Sequence, residues 1–192
     1  MRAPGPSIET QRLILRPVAA EDFDALAAMS ADQLVMEFLG GPQPRSVAWR
    51  SFLNMAGAWT LQGFGMFSVV ERETGRWVGR IGPHRPEGWP GNEVGWALIR
   101  DAWGKGYAVE AASASMDFAV DVLGWTDIIH CIADENGPSQ RVAQSLGSSF
   151  RGVGRMPAPV DEDIGLWGQT AEQWRARRAS LQNQPAARST LA

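Results

Sequence analysis

Two glycines one residue apart, Gly104 and Gly106, lie in "WGKGYAVEA" (residues 103–111), where a helix is about to begin. Glycine is a poor helix former, so a pair at a helix entrance needs a reason in the backbone. The preceding stretch, 92–99, reads as a strand, and "AVEAASASMDFAVDVLG" reads as a helix. Strand, short loop, Gly-Lys-Gly and helix start make an anion site. The first amides of a helix have no intrahelical partner, and the helix dipole adds positive potential. Glycine lets a large anion approach those amides, and phosphate or pyrophosphate is the natural guest. A dinucleotide fingerprint needs a third glycine where Val109 stands, and a P-loop needs Ser or Thr where Gly106 stands. Taken alone, the motif is also compatible with a tight turn that holds no ligand.

The rest of the chain supplies the scaffold. "RLILRPV" predicts a strand at 12–17, and "AAEDFDALAAM" a helix with Phe23, Leu26 and Ala27 at helical spacing. "RSVAWRSFLNMAGAWTLQG" predicts a second helix that Gly63 stops. "GMFSVVER" and "RWVGRIG", joined by "ETG", predict a hairpin. The helix after the glycine loop is expected to turn Ala108, Ala111, Ala112, Ser115, Ala119 and Val122 to one side and to end at Gly124. "DIIHCIA" reads as a short strand, and "GPSQRVAQSLG" as a helix between Pro138 and Gly147. "FRGVGRM" and "IGLWGQ" read as the last strands, and "TAEQW" opens a final helix with Thr170 and Gln173 at capping-box spacing. The order β-α-α-β-β-β-α-β-α-β-β predicts an α/β (α+β) mixed sheet with helices on both faces. It is not the regular alternation of a doubly wound fold.

A chain of 192 residues suits one domain, expected over 7–178 between loose ends at 1–6 and 179–192. The net charge of −3 gives no global field for nucleic acid or an acidic membrane. Cys131 is the only cysteine, so no internal disulfide forms, and no Cys/His cluster has metal-ligand spacing. The first residues carry no apolar signal core, and no apolar run approaches a membrane span. A cytoplasmic location is therefore expected.

"WGKGYAVEA" resembles the pyrophosphate loop of the GNAT family of N-acetyltransferases, especially the branch that acetylates the N-termini of ribosomal proteins. "ETQRLILRPVAAEDFDAL" resembles that branch's opening strand and helix, "NGPSQRVAQSLG" its second cofactor motif, and "IGLWGQTAEQW" its closing strand and helix. The resemblance runs from about residue 8 to 175, in order. It implies a mostly antiparallel sheet of about 7 strands. It also implies acetyl-CoA as cofactor and CoA as product, an amine acceptor, and room for a homodimer. The pyrophosphate would lie over Gly104, Lys105, Gly106, Tyr107, Ala108 and Val109, and the pantetheine beside Trp96, Ala97 and Leu98, with Asn136 bonding the pantetheine amide or a carbonyl and Ser139 near the thioester sulfur. The chain departs from the family where Trp103 opens the loop, and where Ala143 replaces a tyrosine that often protonates the leaving thiolate. It departs again where Gly147-Ser148-Ser149-Phe150 replaces a Gly-Phe pair, and in the Trp- and Pro-rich loop at 83–92.

An amine acceptor must lose a proton, and a carboxylate can take it. Glu93, on the strand before the glycine loop, is the candidate base, against a solvated carboxylate at a strand end. Glu110 reads as structural. Ser139 is the candidate donor to the leaving thiolate, against a serine that satisfies a free helix amide. His84 and His130 are alternative bases, and Cys131 reads as a buried structural thiol. One of Trp89, Trp96 and Trp103 is expected to wall the acceptor pocket. Three functions follow: acetyl transfer to a protein N-terminal amine, acetyl transfer to a small amine attracted by "DED" at 161–163, or CoA binding without catalysis.

Overall fold

In a computed structural model that describes residues 1–182, the strands form one sheet in the order β1-β2-β3-β4-β5-β6-β8-β7. They are β1 (Ile8–Glu9), β2 (Leu13–Arg16), β3 (Phe67–Glu71), β4 (Trp77–His84), β5 (Glu93–Leu98), β6 (Asp127–Ile132), β7 (Ser149–Arg155) and β8 (Asp163–Thr170). The sheet has eight strands; the one that sequence does not reveal is β1, two residues long and without a readable period. Every neighbouring pair is antiparallel except β5 and β6, which are parallel.

The helices are α1 (Phe23–Ala31), α2 (Gln33–Met36), α3 (Arg45–Leu61), α4 (Tyr107–Asp117), α5 (Gly137–Ser145) and α6 (Ala171–Gln182). α4 and α5 cover one face of the sheet. Ala111, Ala112, Met116, Val142 and Leu146 pack there against Leu13, Leu15, Val69, Val94 and Leu98. α1 and α3 cover the other face, where Leu26, Ala27, Ala48 and Phe52 meet Val70, Trp77 and Ala97. Small residues along α4 let it lie close over the strands. The short α2, which the sequence reading leaves out, is fixed by Asp32: its carboxylate caps the amides of Leu34 and Val35.

Three further expectations need correction. Val122 does not lie on the buried side of α4; it is 68% exposed. Residues 118–122 widen into a π-turn, with Leu123 N–H bonded to the Phe118 carbonyl, and the wider turn rotates Val122 away from the sheet. The N-terminal stretch is not loose. Ala3 N–H donates to the Val18 carbonyl, Ala20 N–H to the Met1 carbonyl, and Arg2 pairs with Ala19. The C-terminal stretch read as loose from 179 is helical to Gln182, and the remainder lies outside the described residues. The predicted capping box forms: Thr170 N–H donates to the Gln173 side chain at 2.8 Å, and Gln173 N–H to Thr170 Oγ at 3.2 Å.

Candidate active site

The parallel pair β5–β6 is joined at one position only, Glu93 opposite Ile129. Ile129 N–H donates to the Asn92 carbonyl, and there the ladder stops. A continued parallel ladder would bring Cys131 N–H to the Val94 carbonyl. Instead, Cys131 N–H donates to Glu93 Oε1 at 3.1 Å, and the Val94 carbonyl accepts from His130 Nδ1 at 2.7 Å. Two side chains thus wedge the strands apart from opposite faces and satisfy the groups that the separation orphans.

Beyond this apex the β6-facing edge of β5 is open. Alternation turns the backbone groups of Val94, Trp96 and Leu98 to this side, and those of Gly95 and Ala97 toward β4. A Cβ added at Gly79 on β4 would stand 2.3 Å from the Ala97 carbonyl, as that direction requires. The Leu98 carbonyl is taken by the Trp103 indole at 2.9 Å. The Trp96 amide and carbonyl and the Leu98 amide therefore line the opening. Ala97, expected to meet the pantetheine through its backbone, is committed to β4.

The glycine loop closes the far end of this opening. Gly104 and Gly106 both have left-handed backbones, φ +71 and φ +78. Gly104 faces open space, with nothing within 4 Å of an added Cβ. Gly106 is the N-cap of α4 and supplies no side chain, so the amides of Tyr107, Ala108 and Val109 have no capping partner. This is the donor set that a pyrophosphate needs. Arg12 braces the loop by donating to the Lys105 carbonyl at 2.8 Å. Glu110 braces Arg12 in turn, accepting from its amide at 2.8 Å, its Nε at 2.7 Å and Thr10 Oγ at 2.6 Å. Burial alone would push the Glu110 carboxyl up, but Thr10 and Arg12 together hold it below its ordinary range. Arg12 carries no sequence signal, because its partners lie 93 and 98 residues away.

Glu93 is not a solvated strand-end carboxylate. It is 7% exposed, and its second oxygen accepts from Trp89 Nε1 at 2.7 Å. Burial pushes its pKa up to about 7, against the opposing hydrogen bonds from Cys131 and Trp89 and the charge of Arg80. Such a carboxyl is poised to take a proton near neutral pH. Trp89 is also one wall of a cleft of about 510 Å³ lined by Gln62, Phe64, Arg85, Pro86, Glu87 and Gly88.

Ser139 stands in the first turn of α5, on the other face of β5. The cap of that helix is Asn136, whose Oδ1 accepts from Ser139 N–H at 3.1 Å. The Ser139 hydroxyl is thereby free of capping, and it accepts instead from Trp96 Nε1 at 3.3 Å. Trp96 rests on His130, with ring centroids 4.8 Å apart.

Neither histidine is a good base. His130 is 1% exposed, and burial pulls its pKa down to about 4. A carbonyl only accepts, so Nδ1 carries the proton and Nε2 accepts from Ser148 Oγ at 3.0 Å. Ser148, one of the residues that interrupt the Gly-Phe pattern, accepts from Gln169 Nε2 at 2.9 Å. His84 is held at about 4 by burial and by Arg80. The Cys131 thiol is pushed up by burial and by the charge of Glu93, which suits a structural thiol.

A central sheet whose one parallel pair separates beside a glycine-opened helix N-terminus offers a free strand edge and free amides, which suit a ligand that carries a phosphate. The chain matches the acetyltransferase (GNAT) domain over residues 12–149 and belongs to that family. It is 30% identical to the uncharacterized N-acetyltransferase p20 of Bacillus licheniformis, over 77% of this chain and 84% of that one. The acetyltransferase of Agrobacterium tumefaciens superposes with a TM-score of 0.78 at 30% identity, covering 88% of this chain and 96% of that one. The ribosomal-protein-S5-alanine acetyltransferase of Vibrio fischeri shares the fold, with a TM-score of 0.68 at 17% identity, covering 88% and 98%. The protein is an acetyl-CoA-dependent acetyltransferase. No helix among the described residues is long and apolar enough to cross a membrane.

Proposed function

We propose that the chain transfers the acetyl group to the α-amine of a protein N-terminus by direct attack, without an acyl-enzyme. The observation that carries this reading is the buried Glu93 carboxyl at the apex of the separated strands, raised to about 7. A base of that strength matches an α-amine near pKa ~8 better than a lysine near ~10.4. Acetyl-CoA supplies the activated acetyl group. Gly104, Lys105, Gly106, Tyr107, Ala108 and Val109 hold its pyrophosphate through backbone amides, and Trp96 and Leu98 hold the pantetheine along the open edge of β5. Asn136 orients the first turn of α5, which presents Ser139 to the leaving sulfur. Glu93 takes the amine proton from the opposite face.

The test is a panel of N-terminal peptides, lysine side-chain peptides and small polyamines, read by release of free thiol. N-terminal peptides are expected to turn over fastest. Preference for a polyamine would favour a small-molecule acceptor, and turnover of no amine would leave CoA binding alone.

The cofactor loop has its own test. Gly106→Val is a poor probe, because a β-branched residue at φ +78 strains the backbone by roughly 1–3 kcal/mol. Gly104→Asn is better: asparagine tolerates a left-handed backbone, and the added side chain fills the open space where a phosphate would sit. Calorimetric affinity for acetyl-CoA is expected to fall at least about tenfold, the loss of roughly one charge-assisted hydrogen bond. Unchanged affinity would remove the loop from the cofactor site.

A further inference from the structure

A row of register partners crosses the sheet face that carries Glu93: Arg16 on β2, Ser68 on β3, Arg80 on β4 and Ala97 on β5. Asp22 compensates the first two members. It accepts from Arg16 Nη1 and Nη2, each at 2.7 Å, and from Ser68 Oγ at 2.7 Å. Arg80 has no such partner. Its one side-chain hydrogen bond among the described residues is from Nη1 to Met66 Sδ, at 2.7 Å, and no carboxylate there pairs with it. A guanidinium partly withdrawn from water without a carboxylate is a costly arrangement, and thioether sulfur is a weak acceptor. Burial pulls the Arg80 pKa below the arginine range, with the charge of Glu93 pulling the other way.

The place of this cation matters. Arg80 and Glu93 share a face of the β4–β5 pair, and Met66 lies between them. Its methyl would stand 2.9 Å, and Glu93 Oε1 3.3 Å, from a Cβ added at Gly95. Gly95 adds no side chain to the floor between base and guanidinium, and the buried Met66 methyl fills the space above it, so a short ligand enters by displacing that flexible thioether. Arg80 is only partly buried, so its remaining donors are open to what enters that space. A planar fork of free N–H groups beside a base that accepts a proton from an amine fits a molecule with both an amine and an anion.

We infer that Arg80 reads a carboxylate carried close to the acceptor amine, so that the preferred acceptor is an amino-carboxylate and not a simple amine. The carboxylate comes either from an acidic side chain in the first two residues of a peptide or from the α-carboxyl of a free amino acid. This inference rests on the acetyl-transfer reading above and narrows its acceptor.

The test uses matched acceptors: peptides with N-terminal Asp or Glu in position 1 or 2, the same peptides with Asn or Gln, and free amino acids against their amides. Each is assayed by thiol release with the parent, Arg80→Met and Arg80→Lys, and acetyl-CoA affinity of each protein is measured by calorimetry. The parent is expected to favour the carboxylate member of a pair by about 10–100-fold in kcat/KM. Arg80→Met is expected to erase that preference while acetyl-CoA affinity stays near the parent's, and Arg80→Lys to keep part of it; rates are compared above the acid limb of each protein, because loss of the Arg80 charge raises the Glu93 pKa. Preference among peptides alone assigns the side-chain source, and preference among free amino acids alone assigns the α-carboxyl. Equal turnover of acids and amides by the parent, or a preference that survives Arg80→Met, would overturn the inference and leave acetyl transfer standing. An Arg80→Met protein that loses acetyl-CoA affinity would overturn it too, by placing Arg80 at the cofactor. Thiol release from no amine at all would overturn the acetyl-transfer reading and this inference with it.

Discussion

Glu93→Gln is expected to lower kcat by about 10²–10⁴-fold, the range for loss of a general base, with little change in acetyl-CoA affinity. The pH profile separates loss of a base from loss of shape. In the parent, Glu93 must be deprotonated to act, and its pKa is about 7, so activity falls as pH drops through that value. The glutamine variant lacks this limb and keeps only the one set by the amine itself. Trp89→Phe moves the limb predictably. The Trp89 hydrogen bond favours the charged carboxylate, so removing it raises the Glu93 pKa and shifts the acid limb to higher pH. Stability gives an independent check. A carboxyl raised from 4.5 to about 7 by folding binds more protons in the native state between those values, so its contribution to stability declines as pH rises through them. Glu93→Gln removes that decline, and thermal melts at pH 5 and pH 8 measure it. A glutamine variant with the parent's rate and profile would leave the amine unassisted, since both histidines are held near 4.

Features that the backbone demands locally were legible in the sequence. Gly63, Gly124 and Gly147 end their helices with φ of +74, +69 and +87, a conformation that other residues adopt at a penalty, so the glycines announce the stops. The same holds for the pair at 104 and 106, and for the Thr170–Gln173 box, whose partners are three residues apart. Features that depend on distant partners were not legible. Nothing near His130 in the chain says that it will donate to Val94 and accept from Ser148, which lie 36 and 18 residues away. The sequence alone does not separate base from solvated carboxylate at Glu93, because its burial depends on where β5 and β6 separate. That point is fixed only by the absence of a second register pair. Arg80 gave no signal either: an arginine in a strand is ordinary, and its missing carboxylate shows only when Asp22 is seen holding its neighbours in the row. Val122 failed for a different reason. A strict helical period cannot anticipate a π-turn, which adds a residue to the turn and resets the face.

Ser139→Ala is expected to slow turnover by about 10²–10⁴-fold if the hydroxyl protonates the leaving thiolate, and to leave the melting temperature close to the parent's. The second half of that expectation comes from the capping geometry. The amide at Ser139 is satisfied by Asn136, so removing the serine hydroxyl uncaps nothing. Asn136→Ala is the variant that loses about 1 kcal/mol of stability. The hydroxyl itself is oriented. It has one proton to give and two lone pairs, and Trp96 Nε1 occupies one of the lone pairs. The indole cannot accept, so the O–H must point to another partner, and among the described residues it has none. A leaving thiolate with pKa near ~8.5 needs only modest assistance, which one aimed hydroxyl can give where Ala143 has nothing to donate. Trp96→Phe tests the aiming: it keeps the ring on His130 and removes the donor, so kcat is expected to fall less than in Ser139→Ala while the fold holds. The double variant settles how the two act. If Trp96 works through Ser139, Trp96→Phe adds almost nothing to Ser139→Ala, whereas independent roles multiply. A Ser139→Ala protein that runs at full speed would show that the thiolate departs unaided.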